Sequence, residues 1–295
     1  VALLYDCSDE TKRTRGMGVA VRAIKAGRLV VLPTDTVYGI AADAFSPDAI
    51  AKLLAAKGRG PDMPVPVLVG SADAWTGVAV TNEAAEALAA VFWPGGLSLL
   101  CHEQPSLNWN LGDTGGTVVV RMPEDDVALE LLEKTGPLGV SSANQSGRPP
   151  ARSAKQARDQ LGDSVAVYLE SGFTAADVPS TIVDVTEEVP RVVRAGAISL
   201  ERLREVVPEI IGPEDDEAAE DAAAVDAVPS DDVVAGEAHD VETDAEGGPG
   251  SEPGSEPDGQ LADSSTTPLE DRRADVDSEA AEEAAAGDGH ASGPA

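Results

Sequence analysis

The sequence has little of what most catalytic centres are built from. Its 295 residues hold three histidines and two cysteines, and two of the histidines, His239 and His290, fall in the C-terminal third. A histidine-rich metal centre is thereby excluded from residues 1–212. Two cysteines as far apart as Cys7 and Cys101 make neither a zinc knuckle nor a disulfide framework; they read as reduced thiols of a cytosolic protein. No G-x-x-x-x-G-K-[ST] loop, no G-x-G-x-x-G and no G-x-S-x-G elbow occurs. A nucleotide, if one is bound, is held without the common phosphate loops. His102 follows an apolar strand and reads as an ordinary strand-end residue. No apolar run approaches the ~20 residues of a membrane span. The start, "VALLYDCSDETKRTRG", lacks a signal-peptide layout because its bases follow the short apolar stretch instead of preceding it. The expectation is a soluble, cytoplasmic protein with no membrane contact.

Charge is divided unevenly. Residues 213–295 carry 26 Asp and Glu against two Arg, a net of -24, with no aromatic residue. Residues 1–212 carry 27 acids and 19 bases, a net of -8. The C-terminal stretch is too poor in large aliphatics to offset its chain entropy, so an acidic disordered tail is expected over 213–295. The first 212 residues are long enough to bury a core of their own.

In that part, strand-like and helix-like stretches alternate. "SPDAIAKLLAAKGRG" has the clearest helix signals: Ser46 to cap it, Pro47 in the first turn and Gly58 to end it. Further helices are expected at 18–28, near 82–93, 124–134, 153–161 and 199–207. Strands are expected at "LVVLP", "VPVLVG", "LSLLC", "TVVVRMP", "LGVSS", 165–169, 181–185 and 191–194. This alternation predicts an α/β (α+β) domain with a mixed sheet flanked by helices.

Polar residues gather at the ends of these elements. "VVLPTDTVYGI" passes from apolar strand to Thr34, Asp35, Thr36 and Tyr38. "AKGRG" sets Lys57 and Arg59 where a helix finishes, either complementing its dipole or converging on an anion. Arg121 ends "TVVVRMP" and either snorkels to the rim or pairs with an anion there. "VSSANQSGRPPARSA" supplies Ser141, Ser142, Asn144, Arg148 and Arg152; "VPSTIVDV" supplies Ser180, and "RVVRAG" Arg194. Hydroxyls and cations with so few acids suit phosphates and a carboxylate.

Taken together, "LPTDTVYGIAADAF", "KGR", "WPGGLSLL", "TVVVRMP", "SSAN", "PSTIVDV" and "VVRAGA" resemble, in order and spacing, the YrdC/Sua family over roughly residues 15–207. The resemblance implies a YrdC-like catalytic domain over 1–212, a twisted, mostly open sheet with a large concave site. It implies synthesis of threonylcarbamoyl-adenylate and pyrophosphate from L-threonine, bicarbonate and ATP with Mg2+, for partner proteins that place t6A on tRNA. The family's K-x-R and S-x-N signature falls on Lys57, Arg59, Ser142 and Asn144, which would contact ATP and carry the reaction. Thr34, Arg121 and Ser180 match threonine contacts; Thr117, Ser141, Arg152 and Arg194 match positions at or near the nucleotide. No protein metal ligand is implied. Leu68 stands where some members carry a histidine, and no second folded domain is patterned after residue 212. Rival readings are a YrdC-fold double-stranded RNA or tRNA binder and a paralogue with another acceptor. A domain of net -8 lacks a broad basic footprint, although Lys12, Arg13, Arg15, Arg22, Lys25 and Arg28 form either a local basic patch or a solvated helix face.

Overall fold

The computed structural model describes residues 2–174 and 178–213. The tail expected over 213–295 therefore lies, from residue 214, outside the described residues. Ten strands among them form one mixed sheet in the order β1-β8-β2-β3-β7-β4-β6-β5-β9-β10. They are β1 (Leu3–Asp6), β2 (Leu29–Leu32), β3 (Gly39–Asp43), β4 (Val67–Leu68), β5 (Leu97–His102), β6 (Thr117–Arg121), β7 (Leu138–Ser142), β8 (Val165–Glu170), β9 (Thr181–Asp184) and β10 (Arg191–Arg194). Four pairs are parallel (β1 with β8, β8 with β2, β4 with β6, β5 with β9) and the rest antiparallel.

Successive residues of a strand face opposite sides, and both sides here are covered. Leu29 and Val31 of β2 enter one apolar cluster, whereas Val30 and Leu32 enter another. The first cluster receives α2 (Pro47–Lys57), α3 (Ala72–Val78), α4 (Glu83–Phe92), α6 (Ala154–Leu161) and α7 (Leu200–Arg204). The second receives α1 (Glu10–Lys25) and α5 (Asp126–Thr135) through Met17, Ile24, Leu131 and Leu132. Burial on both faces is why β2 reads as an unbroken apolar run.

The expected helices and strands are present; α7 ends three residues early at Arg204, β4 shortens to Val67–Leu68, the bounds of α1 differ, and three further elements appear. Helix α1 begins at Glu10, eight residues before the expected start, because Asp9 accepts from the Lys12 amide and caps it. The polar turns that follow carry no apolar period to reveal it. Strand β1 lies at the sheet edge with Leu3 and Leu4 exposed, β3 is built mainly of small residues, and α3 is short. Helix α2 is as expected: the Ser46 side chain accepts from Ala49, and Gly58 closes it in the left-handed conformation, φ 66°. His102 is exposed at the end of β5, consistent with its reading as a strand-end residue. Cys7 and Cys101 are free and buried, and burial pushes their thiols up to about 11 and about 12. No helix among the described residues is long and apolar enough to cross a membrane.

Gly39 opens β3 against β7, where an added Cβ would sit 2.6 Å from Val140 Cγ1. Gly39→Ala is expected to lower unfolding free energy by about 1–3 kcal/mol through overpacking. Urea denaturation measures the loss, and Gly39→Ala combined with Val140→Ala should recover part of it.

Candidate active site

Lys57 ends α2 and Ser142 ends β7, so two regular elements aim their last residues at one point. Lys57 is 1% exposed. Its ammonium donates to the Ser142 carbonyl, to Ser142 Oγ at 3.2 Å and to Asn144 Oδ1 at 2.9 Å. Asn144 is held in turn, its amide donating to the carbonyls of Gln145 (3.0 Å) and Arg148 (2.6 Å). Arg59, just past the cap, donates to Ser146 Oγ at 3.0 Å and Ser141 Oγ at 3.3 Å. The signature residues Lys57, Arg59, Ser142 and Asn144 thus form one connected group with Ser141, which was expected, and Ser146, which was not. All acceptors of the ammonium are neutral oxygens. Burial, with Arg59 adding its repulsion, pushes Lys57 down to about 7.

A second group surrounds Arg121, the buried last residue of β6. Its Nε donates to the Gly95 carbonyl at 2.8 Å, Nη1 to Thr36 Oγ1 at 2.8 Å and Nη2 to Asp35 Oδ1. Asp35 Oδ1 also accepts from the Glu124 amide at 3.0 Å. Thr34 and Thr36 share a hydroxyl contact of 3.1 Å, and Thr34 Oγ1 donates to the Val37 carbonyl at 2.7 Å. Between snorkelling and pairing, the structure chooses pairing: burial pushes the guanidinium down, and Asp35 opposes that shift.

Ser180 sits beside this group. Its hydroxyl is 2.8 Å from Ser98 Oγ, and Arg194 Nη2 donates to its carbonyl at 2.8 Å and its hydroxyl at 3.0 Å. Burial and the charge of Arg121 both push Arg194 down, so the two arginines sense each other. Glycines allow the turns to close here. A Cβ on Gly96 would lie 2.8 Å from Ala197 Cβ and 3.8 Å from Thr36 Cγ2, and one on Gly196 would lie 2.4 Å from the Pro179 carbonyl oxygen.

Tyr38 joins the Thr34–Thr36 segment to the Lys57 side. Its amide donates to Ala151 O at 3.1 Å, its carbonyl accepts from Ala143 at 2.7 Å, and its hydroxyl donates to Gly172 O at 2.7 Å. Arg152, next to Ala151, donates from Nη2 to Thr174 O at 3.1 Å, whereas its buried Nε has no acceptor among the described residues. Arg148 is exposed, so of that pair Arg152 faces inward. Thr117 starts β6, four positions from Arg121, and donates to Thr114 O at 2.8 Å. Its hydrogen bond leads away from both groups. Leu68 is buried opposite Arg121 in the β4–β6 pairing. A polar cavity of about 420 Å3, lined by Pro94, Glu124, Asp125 and Ser171 among others, adjoins the Asp35 side. Sequence reasoning gave the hydroxyls of "PTDT", Thr36 among them, to a small polar substrate; it named Asp35 without a role and missed Ser98. The acid within "PTDT" was the available signal.

Two cation groups on either side of one hydroxyl-bearing loop are an arrangement suited to small anionic ligands. Comparison with known proteins narrows this. The Sua5/YciO/YrdC family model, described as "Telomere recombination", matches residues 22–196. A Mycobacterium tuberculosis protein provisionally named threonylcarbamoyl-AMP synthase is 56% identical over 204 residues, 69% of this chain and 94% of the relative. The Pyrococcus abyssi threonylcarbamoyl-AMP synthase is 36% identical over 196 residues, covering 65% of this chain and 57% of the relative. The solved structure of P. abyssi Sua5 complexed with L-threonine superposes with a TM-score of 0.67 at 32% identity, over 72% of this chain and 62% of that one. The chain belongs to the Sua5/YciO/YrdC family.

Lys57 gives the site a pH signature. Its folded value of about 7 lies below the ordinary lysine value of 10.5. Below about pH 7 both folded and unfolded chains are protonated there, and the burial penalty is present in full. As pH rises toward the unfolded value the unfolded chain holds the extra proton, so this residue's contribution to stability increases. An anion bound beside the ammonium favours its charged form. Lys57 is therefore expected to contribute up to one proton taken up per site when inorganic triphosphate binds at pH 8, and far less at pH 6, beside the protons the triphosphate itself loses. Calorimetry in buffers of different ionisation enthalpy measures the uptake, which Lys57→Met should abolish.

Proposed function

We propose that this chain is an L-threonylcarbamoyladenylate synthase, a nucleotidyltransferase acting on L-threonine, bicarbonate and ATP. The observation that carries this reading is the pairing of two cationic groups, Lys57 with Arg59 and Arg121 with Arg194, across the Thr34–Tyr38 segment. Lys57, Arg59, Ser141, Ser142 and Asn144 suit the phosphates of ATP, and the unpartnered Nε of Arg152 is a further donor for that ligand. Arg121 suits the threonine carboxylate as a planar fork, with Thr34 and Ser180 beside it. Thr117 has the weakest support, since its hydroxyl is directed to Thr114. The relatives named threonylcarbamoyl-AMP synthase, and the threonine-bound archaeal structure, support the same assignment.

The chemistry requires alignment more than a strong base. The threonine amine adds to the carbon of bicarbonate with loss of water. A carbamate oxygen then attacks the α-phosphorus, the bond to the bridging oxygen breaks, and pyrophosphate leaves. Lys57 and Arg59 neutralise charge on the phosphates, and Arg121 holds the acceptor by its carboxylate. Among the described residues no cluster of His, Cys, Asp or Glu could hold a metal. The side chains around Lys57 are hydroxyls, an amide and Arg59, a set that fits a triphosphate arriving with its own Mg2+. That ion, when bound, neutralises further phosphate charge. The product would pass to the proteins that install t6A on tRNA, in the cytoplasm. No observation among the described residues favours RNA binding by the domain itself: among the basic residues of α1, Arg13 is tied to Glu130 at 3.0 Å, and Lys12 lies 3.7 Å from Asp6.

Pyrophosphate release from ATP and Mg2+ is expected to require both threonine and bicarbonate. Lys57→Ala should slow it by about 100-fold or more, the scale of losing a charge-stabilising donor. Arg121→Ala should raise the threonine KM with little change in ATP binding. Release without threonine, or no release from folded protein, would overturn the assignment.

A further inference from the structure

Arg121 is often the kind of residue credited alone with holding a carboxylate, yet here its orientation is decided by a neighbour. The guanidinium has five N–H groups. Three are already engaged: Nε with Gly95 O, one on Nη1 with Thr36 Oγ1, and one on Nη2 with Asp35 Oδ1. One hydrogen on each terminal nitrogen has no acceptor among the described residues, which leaves two donors for a ligand. Where those donors point is set by the three acceptors, and among them Asp35 is the only charged one. Asp35 is itself fixed, because the same Oδ1 accepts from the Glu124 amide at 3.0 Å, immediately before α5. Its side chain is 17% exposed and that of Arg121 8%, so the pair is largely removed from water and its geometry is held more tightly than a surface ion pair.

We propose that Asp35 is the positioning residue for amino-acid binding. It acts through Arg121, by fixing the direction of the free edge of the guanidinium, and has no role at the phosphates. This rests on the reading of Arg121 as the threonine-carboxylate fork. A positioning role and a charge role predict opposite outcomes for two conservative changes. Asp35→Asn keeps an oxygen where Oδ1 stands, able to accept from both Arg121 and Glu124, but removes the charge. Asp35→Glu keeps the charge and moves the oxygen by one methylene, the scale of displacement at which aligned sites lose about 100-fold.

Calorimetry with L-threonine and, separately, with ATP and Mg2+ decides between them on the 295-residue chain. Asp35→Asn should bind threonine within about threefold of the wild type, whereas Asp35→Glu should weaken it by about tenfold or more, scaled from the same alignment cost. ATP affinity should stay within about twofold in both, which also reports that the fold is kept. Wild-type affinity for threonine in Asp35→Glu, or loss in Asp35→Asn equal to that in Asp35→Glu, would overturn positioning by Asp35 while leaving the synthase reading intact. Failure of Asp35→Asn to bind ATP would also overturn it, because it would tie Asp35 to the whole domain. A wild-type chain that binds no threonine at all takes down both.

Discussion

One buried ammonium organises the corner where α2 meets β7. Lys57 leaves α2 at its last turn and spends its donors on the end of β7 and on Asn144. An isolated cation in such a place would be costly, and three neutral acceptors compensate it only in part. The site is therefore unsatisfied in an electrostatic sense while its hydrogen bonds are filled. Polyanionic ligands are what such an arrangement lacks. The same contact ties a helix cap to a strand end, so the stability of that corner and its affinity for anions draw on one residue.

The surroundings of Arg121 follow a different design. Arg121 keeps a carboxylate partner of its own, and its approach is lined by hydroxyls and by glycines that let three turns meet. A permanently paired arginine is a directional reader more than a source of field. Arg194, anchored on Ser180, supplies charge nearby without a carboxylate partner in its hydrogen bonds. The two halves are joined at Tyr38, whose backbone reaches the Lys57 loop while its side chain reaches the end of β8.

Most of this was legible where local chemistry is strong. Ser46, Pro47 and Gly58 announce α2 because a cap, a first-turn proline and a left-handed glycine each have a local cause. The ends of β6 and β7 were legible because apolar runs stop abruptly at Arg121 and Ser142. What was hidden depends on partners distant in sequence. Strand β1 exists because β8 pairs with it, and β3 is recognisable only between β2 and β7. The start of α1 rests on one aspartate before a polar stretch. Asp35 was visible as a residue but not as a partner of Arg121, since 86 positions separate them. Thr117, which the family resemblance places at or near the nucleotide, donates locally to the Thr114 carbonyl.

The sheet order bears on how the chain comes to life during synthesis. Strand β2, made early, takes β8 as a parallel neighbour, and β5 takes β9. The first pairing cannot close until Glu170, and the second until Asp184, has left the ribosome. Contacts of such long sequence separation form slowly. A nascent chain stopped before β9 carries Lys57 and Arg121 but not the wall that completes their surroundings. Truncation there yields a chain that keeps Lys57 and Arg121 and lacks Ser180 and Arg194 beside them.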